Sequence, residues 1–92
     1  MIKGFRHKGL ELFYLSGTTK GIQVSHTSEL SRILAALDVC ALPANLNFPS
    51  FRLHQLKRVL KGYWSITVNG NWKVIFCFNG ADVELIDYLG YH

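Results

Sequence analysis

His54 is the residue of this chain best placed by its neighbours to do chemistry. It lies in Arg52-Leu53-His54-Gln55-Leu56-Lys57, with Arg58 and Lys61 close behind. A histidine can take up or release a proton near neutral pH. The chain ends Tyr91-His92, a second imidazole beside a ring able to stack on a base. RNA can be cut by such a set without a metal. The 2′-hydroxyl beside the scissile phosphate attacks it, a base takes the hydroxyl proton, cations steady the developing charge, and an acid protonates the leaving oxygen. A plainer reading exists for each group: a strand histidine is often structural, and a terminal histidine is often a frayed tail.

Other chemistries lack their parts. There is no glycine-rich phosphate loop, no nucleophile elbow, and no His and Cys at ligand spacing, so no metal and no cofactor are expected. Cys40 and Cys77 are too few and too far apart for a zinc knuckle, and each lies in an apolar stretch that suits a buried free thiol.

Charge points to a polyanion. The net charge is +4, and from Val39 to Ala81 there is no Asp or Glu while Arg52, Lys57, Arg58, Lys61 and Lys73 all occur. Lys3, Arg6, His7 and Lys8 form a second basic cluster at the start. A merely solvated basic surface is the bland alternative. No signal peptide and no apolar run of membrane-spanning length is found, so a soluble, cytoplasmic protein is expected.

The elements that must position these groups are legible in outline. The 92 residues suit one domain, 1–92. Met1 to Phe5 fits a short edge strand, and Lys8 to Leu15 a helix of about two turns, ended by the run from Ser16 to Gly21. Leu30, Ile33, Leu34 and Leu37 follow helical spacing, with Ser25 or Thr27 as the expected N-cap. Pro43 and Pro49 make Ala44 to Ser50 a loop. A strand beginning at Phe51 and Leu53 would carry His54.

Tyr63 to Val68 and Trp72 to Phe78 alternate, and Val83 to Tyr88 forms a last strand after the Asn79-Gly80 turn. A two-residue Asn69-Gly70 loop would set apolar residues against polar ones. A three-residue loop with a bulge pairs Val68 with Trp72, Ile66 with Val74 and Trp64 with Phe76. Helices then cover one face, and the other, carrying Tyr63, Ser65, Thr67 and Lys73, is left wet and basic. The fold class predicted is α+β: a short N-terminal strand and two helices on one face of a mostly antiparallel sheet of three to five strands.

The run from Arg52 to Lys57, then Gly62-Tyr63-Trp64-Ser65-Ile66-Thr67-Val68 and Asn71-Trp72-Lys73-Val74, resembles the HigB-type toxins of the RelE superfamily, the plasmid maintenance killer proteins. The opening from Met1 to Leu10 and the closing Tyr91-His92 match as well, so the resemblance spans the chain. It implies a RelE-like fold and a ribosome-dependent endonuclease that cuts mRNA in the ribosomal A site. It implies as partners the 70S ribosome, mRNA and a HigA-type helix-turn-helix antitoxin, with operator DNA met only through the antitoxin and no membrane. The family's functional positions fall on His54, Lys57, Lys73, Tyr91 and His92, with Arg52, Arg58, Lys61, Tyr63, Lys3, Arg6 and Lys8 as candidate RNA contacts.

Two positions depart from the pattern. Gly90 stands where relatives carry an acid before the terminal Tyr-His, and Lys73 stands where close relatives often have Arg. A second alignment places the terminal motif on Asp87-Tyr88 instead. Three functions therefore compete: an mRNA endonuclease, a catalytically weak or inactive RNA- or ribosome-binding module, and a pure interaction protein within an autoregulatory toxin–antitoxin complex.

Overall fold

The computed structural model describes residues 1–90, so Tyr91 and His92 lie outside the described residues. Two helices, α1 (Lys8–Ser16) and α2 (Thr27–Val39), precede strands β1 (His54–Gln55), β2 (Tyr63–Asn69), β3 (Trp72–Asn79) and β4 (Asp82–Gly90). The strands lie side by side in chain order, all antiparallel. The α+β architecture is the one that the residue patterns predict.

The N-terminal segment runs parallel to β4 through two isolated bridges, Ile2 to Val83 and Phe5 to Ile86, rather than as a continuous strand. Between those bridges Leu85, at φ 56°, kinks the edge that it would have to follow. The Asp38 carboxylate accepts from the Ile2 N–H (3.3 Å) and from the Tyr14 hydroxyl (3.0 Å), pinning the segment and α1 to the end of α2.

Helix α1 is capped by a histidine. His7 Nδ1 accepts from the Leu10 N–H at 2.9 Å, and Gly17, at φ 77°, closes the other end. Helix α2 is not capped as expected. A 3₁₀ turn, Val24–His26, leads into it, the Thr27 N–H donates to the Val24 carbonyl, and no side-chain cap is made. Ser25 is part of that turn, and the Thr27 hydroxyl donates backwards to the Val24 carbonyl (3.0 Å).

The proline-bearing loop is two 3₁₀ turns, Pro43–Leu46 and Pro49–Phe51, each opened by its proline. Phe51 therefore belongs to a turn and Arg52 is left-handed at φ 48°, which shortens the expected strand to His54–Gln55.

The β2–β3 hairpin keeps the predicted pairs Trp64 to Phe76 and Ile66 to Val74, with Thr67 opposite Lys73. Asn69, not Val68, then pairs with Trp72. Val68 is the extra residue of the bulge, and the turn that remains is Gly70-Asn71. A bulge was expected, and it lies within β2 rather than in the loop.

Trp64, Ile66, Val74 and Phe76 consequently share the helix-facing side. Leu30, Ile33, Leu34 and Leu37 of α2, with Leu10 of α1, pack against Ile66, Val74, Phe76, Val83 and Ile86. Each such side chain contributes about 1.5–3 kcal/mol by leaving water. Tyr88 joins this core: its hydroxyl lies 2.6 Å from Nδ1 of buried His26 and accepts from the Gln23 N–H at 3.4 Å. Trp72 lies against the Tyr88 ring at 4.8 Å, and His7 meets that ring edge-on at 5.3 Å.

Phe76→Ala is expected to destabilise by roughly 3–5 kcal/mol. Tyr88→Phe, which deletes only the oxygen bonded to His26, is expected to cost about 1–2 kcal/mol. Chemical denaturation measures both. A neutral Tyr88→Phe would show that the His26–Tyr88 contact does not hold α2 to the sheet.

Candidate functional site

Register defines the sheet's open face as three rows of side chains, because residues directly opposite in a ladder share a face. The central row is His54, Ser65, Ile75 and Asp87, from β1 to β4. On one side lie Tyr63, Cys77 and Glu84, and on the other Thr67, Lys73 and Leu89. His54 is exposed at the edge of the central row. That placement rests on β1 alone: its only pairs put His54 opposite Ser65 and Gln55 opposite Trp64, on the helix side.

The face is not uniformly wet as predicted. Ser65 and Ile75 at its middle are buried, and Tyr63, Thr67 and Lys73 are half-buried. Cys77, expected to be buried, is only half-buried, because alternation turns it away from the flanking Phe76 and Phe78. Burial, then Glu84, pushes its thiol up from the usual value. Cys40 is the buried free thiol that its surroundings predict.

Lys73 reaches along the face and donates to the Thr67 hydroxyl at 2.9 Å. At the β4 side an Arg6 N–H donates to the Tyr63 hydroxyl at 3.2 Å. That bond, and more distantly Asp87, holds the exposed Arg6 guanidinium more firmly charged than usual. Arg6 and Tyr63 are 57 residues apart, so no local pattern could have revealed the contact.

The other candidates divide. Arg52 and Lys57 flank β1 and are exposed, as are Arg58 and Lys61 in the turn that follows. Arg52 (φ 48°) and Arg58 (φ 61°) are left-handed, which costs a non-glycine residue about 1–2 kcal/mol. Glycine would satisfy both turns more cheaply, so the side chains themselves are the reason to look for a role. Lys3 is exposed on the N-terminal segment, and Lys8 opens α1, 3.9 Å from Glu11, in the helix layer rather than on the open face. Tyr91 and His92 lie outside the described residues.

The alternative terminal motif does not present both its members. Asp87 is on the open face, but Tyr88 is 4% exposed on the helix side and bonded to His26. Gly90 also has a physical reason. It pairs with Trp72, and a Cβ on it would stand 2.9 Å from the indole ring. An acid at this position would collide with Trp72 where the ring packs on Tyr88.

Among the described residues no three His, Cys, Asp or Glu side chains lie close enough together to hold a metal ion. No helix among them is long and apolar enough to cross a membrane.

Comparison with known proteins places these features in a family. A model described as the RelE-like toxin HigB of type II toxin–antitoxin systems matches residues 3–92. The chain is 39% identical to endoribonuclease HigB of Proteus vulgaris over 92 residues, the whole of both chains. Its fold is similar to that in a YoeB–YefM complex from Staphylococcus aureus (17% identity, TM-score 0.63, covering 100% of this chain and 98% of that one). It is similar as well to YafQ from Escherichia coli (16% identity, TM-score 0.65, covering 98% and 91%).

The contact between residue 90 and Trp72 makes a prediction. Gly90→Ala and Gly90→Asp are each expected to destabilise by roughly 1–3 kcal/mol through overpacking. Lys73→Ala, which removes one half-exposed contact, is expected to cost less than about 1 kcal/mol. Thermal melts of the three variants check this, and a Gly90→Asp protein as stable as the parent would contradict the account of Gly90.

Proposed function

The chain belongs to the RelE-like HigB toxins of type II toxin–antitoxin systems, and from that membership we propose that it is an endoribonuclease that cuts mRNA in the ribosomal A site. The observation that carries this reading is His54 on the open face, in line with Ser65 and Asp87 and between the rows that bring Arg6 and Lys73. The helices pack on the opposite face of the sheet, which supports this face as the one that meets RNA.

The proposed chemistry needs only side chains. His54 takes the proton of the 2′-hydroxyl as its oxygen bonds to phosphorus. Lys73 and Lys57 offset the charge that builds on the phosphate oxygens. The bond from phosphorus to the 5′ oxygen breaks, and that oxygen receives a proton, for which His92 is the second acid–base candidate. The products are a 2′,3′-cyclic phosphate and a 5′-hydroxyl. Arg52, Arg58 and Lys61 contribute charge along the approach.

The same geometry supports a role for the ribosome in this proposal. His54 is exposed on a shallow face with few groups to orient a flexible RNA, and the 70S ribosome is assigned much of the alignment. Restraint in the cell is assigned to a HigA-type helix-turn-helix antitoxin, through which alone operator DNA is met.

His54→Ala is expected to abolish mRNA cleavage and growth arrest while leaving a folded protein that still co-purifies with its antitoxin. Wild-type protein is expected to cut message on translating ribosomes and to cut naked RNA poorly. Mapped 5′ ends with and without translation, paired with circular dichroism, check both. Rapid digestion of free RNA would overturn ribosome dependence. A fully active His54→Ala protein would remove the catalytic assignment, and ribosome association without any cut message would leave a binding module.

A further inference from the structure

Four cationic side chains with defined partners divide by layer. In the helix layer they are met by carboxylates: Lys8 stands 3.9 Å from Glu11, and Arg32 stands 3.2 Å from Glu29 and also donates to the Ser50 hydroxyl at 3.1 Å. On the open face they are met by neutral hydroxyls: Lys73 by Thr67 at 2.9 Å and Arg6 by Tyr63 at 3.2 Å. Among the described residues no carboxylate lies within ion-pair distance of Arg6, although Asp87 is near enough to act on its charge. A carboxylate partner neutralises a cation. A hydroxyl partner aims it and leaves its charge for something else.

Arg6 is also well mounted. The backbone N–H of Arg6 donates to the Ile86 carbonyl at 2.7 Å, fixing the residue against β4, and Phe5 beside it bridges to Ile86. Of the five N–H donors on the guanidinium, Tyr63 takes one and leaves the rest of the planar fork exposed. Lys73 offers only a compact ammonium already bonded to Thr67. Tyr63 and Thr67 lie on opposite sides of Ser65, so Arg6 and Lys73 straddle the row that carries His54. The span from Tyr63 to Thr67 along β2 is about 13 Å.

We propose that Arg6 grips an RNA backbone phosphate flanking the scissile one, across the His54 row from Lys73, and that Tyr63 serves as a positioning residue for this guanidinium rather than as a stacking platform for a base. The inference rests on the reading of the open face as an RNA-cleaving surface. It specifies the ligand as two or more consecutive phosphates laid along β2. Arg6 is then the planar, fork-shaped contact and Lys73 the point charge.

The test uses the full chain and a short 2′-O-methyl RNA, which binds but cannot be cut, followed by fluorescence anisotropy across a salt series. Arg6→Gln is expected to weaken binding about ten-fold and to flatten the plot of log affinity against log salt by about 0.7, the loss of one single-strand phosphate contact. Arg6→Lys is expected to keep the salt slope and recover only part of the affinity. Tyr63→Phe is expected to weaken binding when Arg6 is present and to add nothing to Arg6→Gln. Unchanged affinity and slope in Arg6→Gln, or no measurable binding by wild type, would overturn the proposal. Additive losses in the double variant would overturn the role given to Tyr63 and return it to direct RNA contact. Binding that behaves as expected in a protein that leaves message intact on translating ribosomes would instead sink the endonuclease reading, so the two failures are distinguishable.

Discussion

The whole arrangement depends on one extra residue in β2. Val68 has no partner of its own in β3, since Thr67 pairs with Lys73 and Asn69 with Trp72. Without that bulge the ladder would slip by one and set Val68 opposite Lys73, Thr67 opposite Val74 and Ser65 opposite Phe76. With it, Ile66, Val68, Val74 and Phe76 all enter the core beneath the helices. Lys73 and Thr67 are left on the other side, and so is Ser65, whose pairing with His54 brings β1 into line. The same register thus closes the core and assembles the open face.

Electrostatics follow the division of the two faces. Carboxylates answer Lys8 and Arg32 in the helix layer, while hydroxyls hold Arg6 and Lys73 on the open face. The helix side has its own polar device in His26 and Tyr88, whose contact is buried among Trp72 and His7. Buried polar groups are tolerated where they are paired, and this pair ties the start of α2 to β4. Gly90 belongs to the same device, because the Trp72 ring occupies the place that a side chain would need.

What the sequence made legible was periodic. The apolar spacing of α2, the alternation of β2 and β3, and the burial cost of a wrong hairpin register each constrain the fold without reference to distant residues. What escaped was set by distance or by turns. Tyr88 reads as one more apolar strand residue until His26, 62 positions away, is seen beside it. The bond from Arg6 to Tyr63 has no local signal at all. Local chemistry misled in two places: Ser25 and Thr27 look like caps, yet a 3₁₀ turn leads into α2 and no side-chain cap is made, and Phe51 looks like a strand start, yet Pro49 keeps it in a turn. Of the candidate site, the placement of Lys73 on the open face was readable from alternation, whereas that of His54 emerges only from its pairing with Ser65. The buried centre at Ser65 and Ile75 was not, because what covers a strand residue comes from other strands and segments.

The central claim is that side chains of this face cut RNA through its own 2′-hydroxyl. The most direct measurement is the chemistry of the new ends after the protein acts on message held by translating 70S ribosomes. The account predicts a 5′-hydroxyl on the downstream fragment, labelled by a kinase without prior phosphatase treatment, and a 2′,3′-cyclic phosphate on the upstream one. A downstream fragment bearing a 5′-phosphate would mean that water, not the 2′-hydroxyl, attacks, and would contradict it.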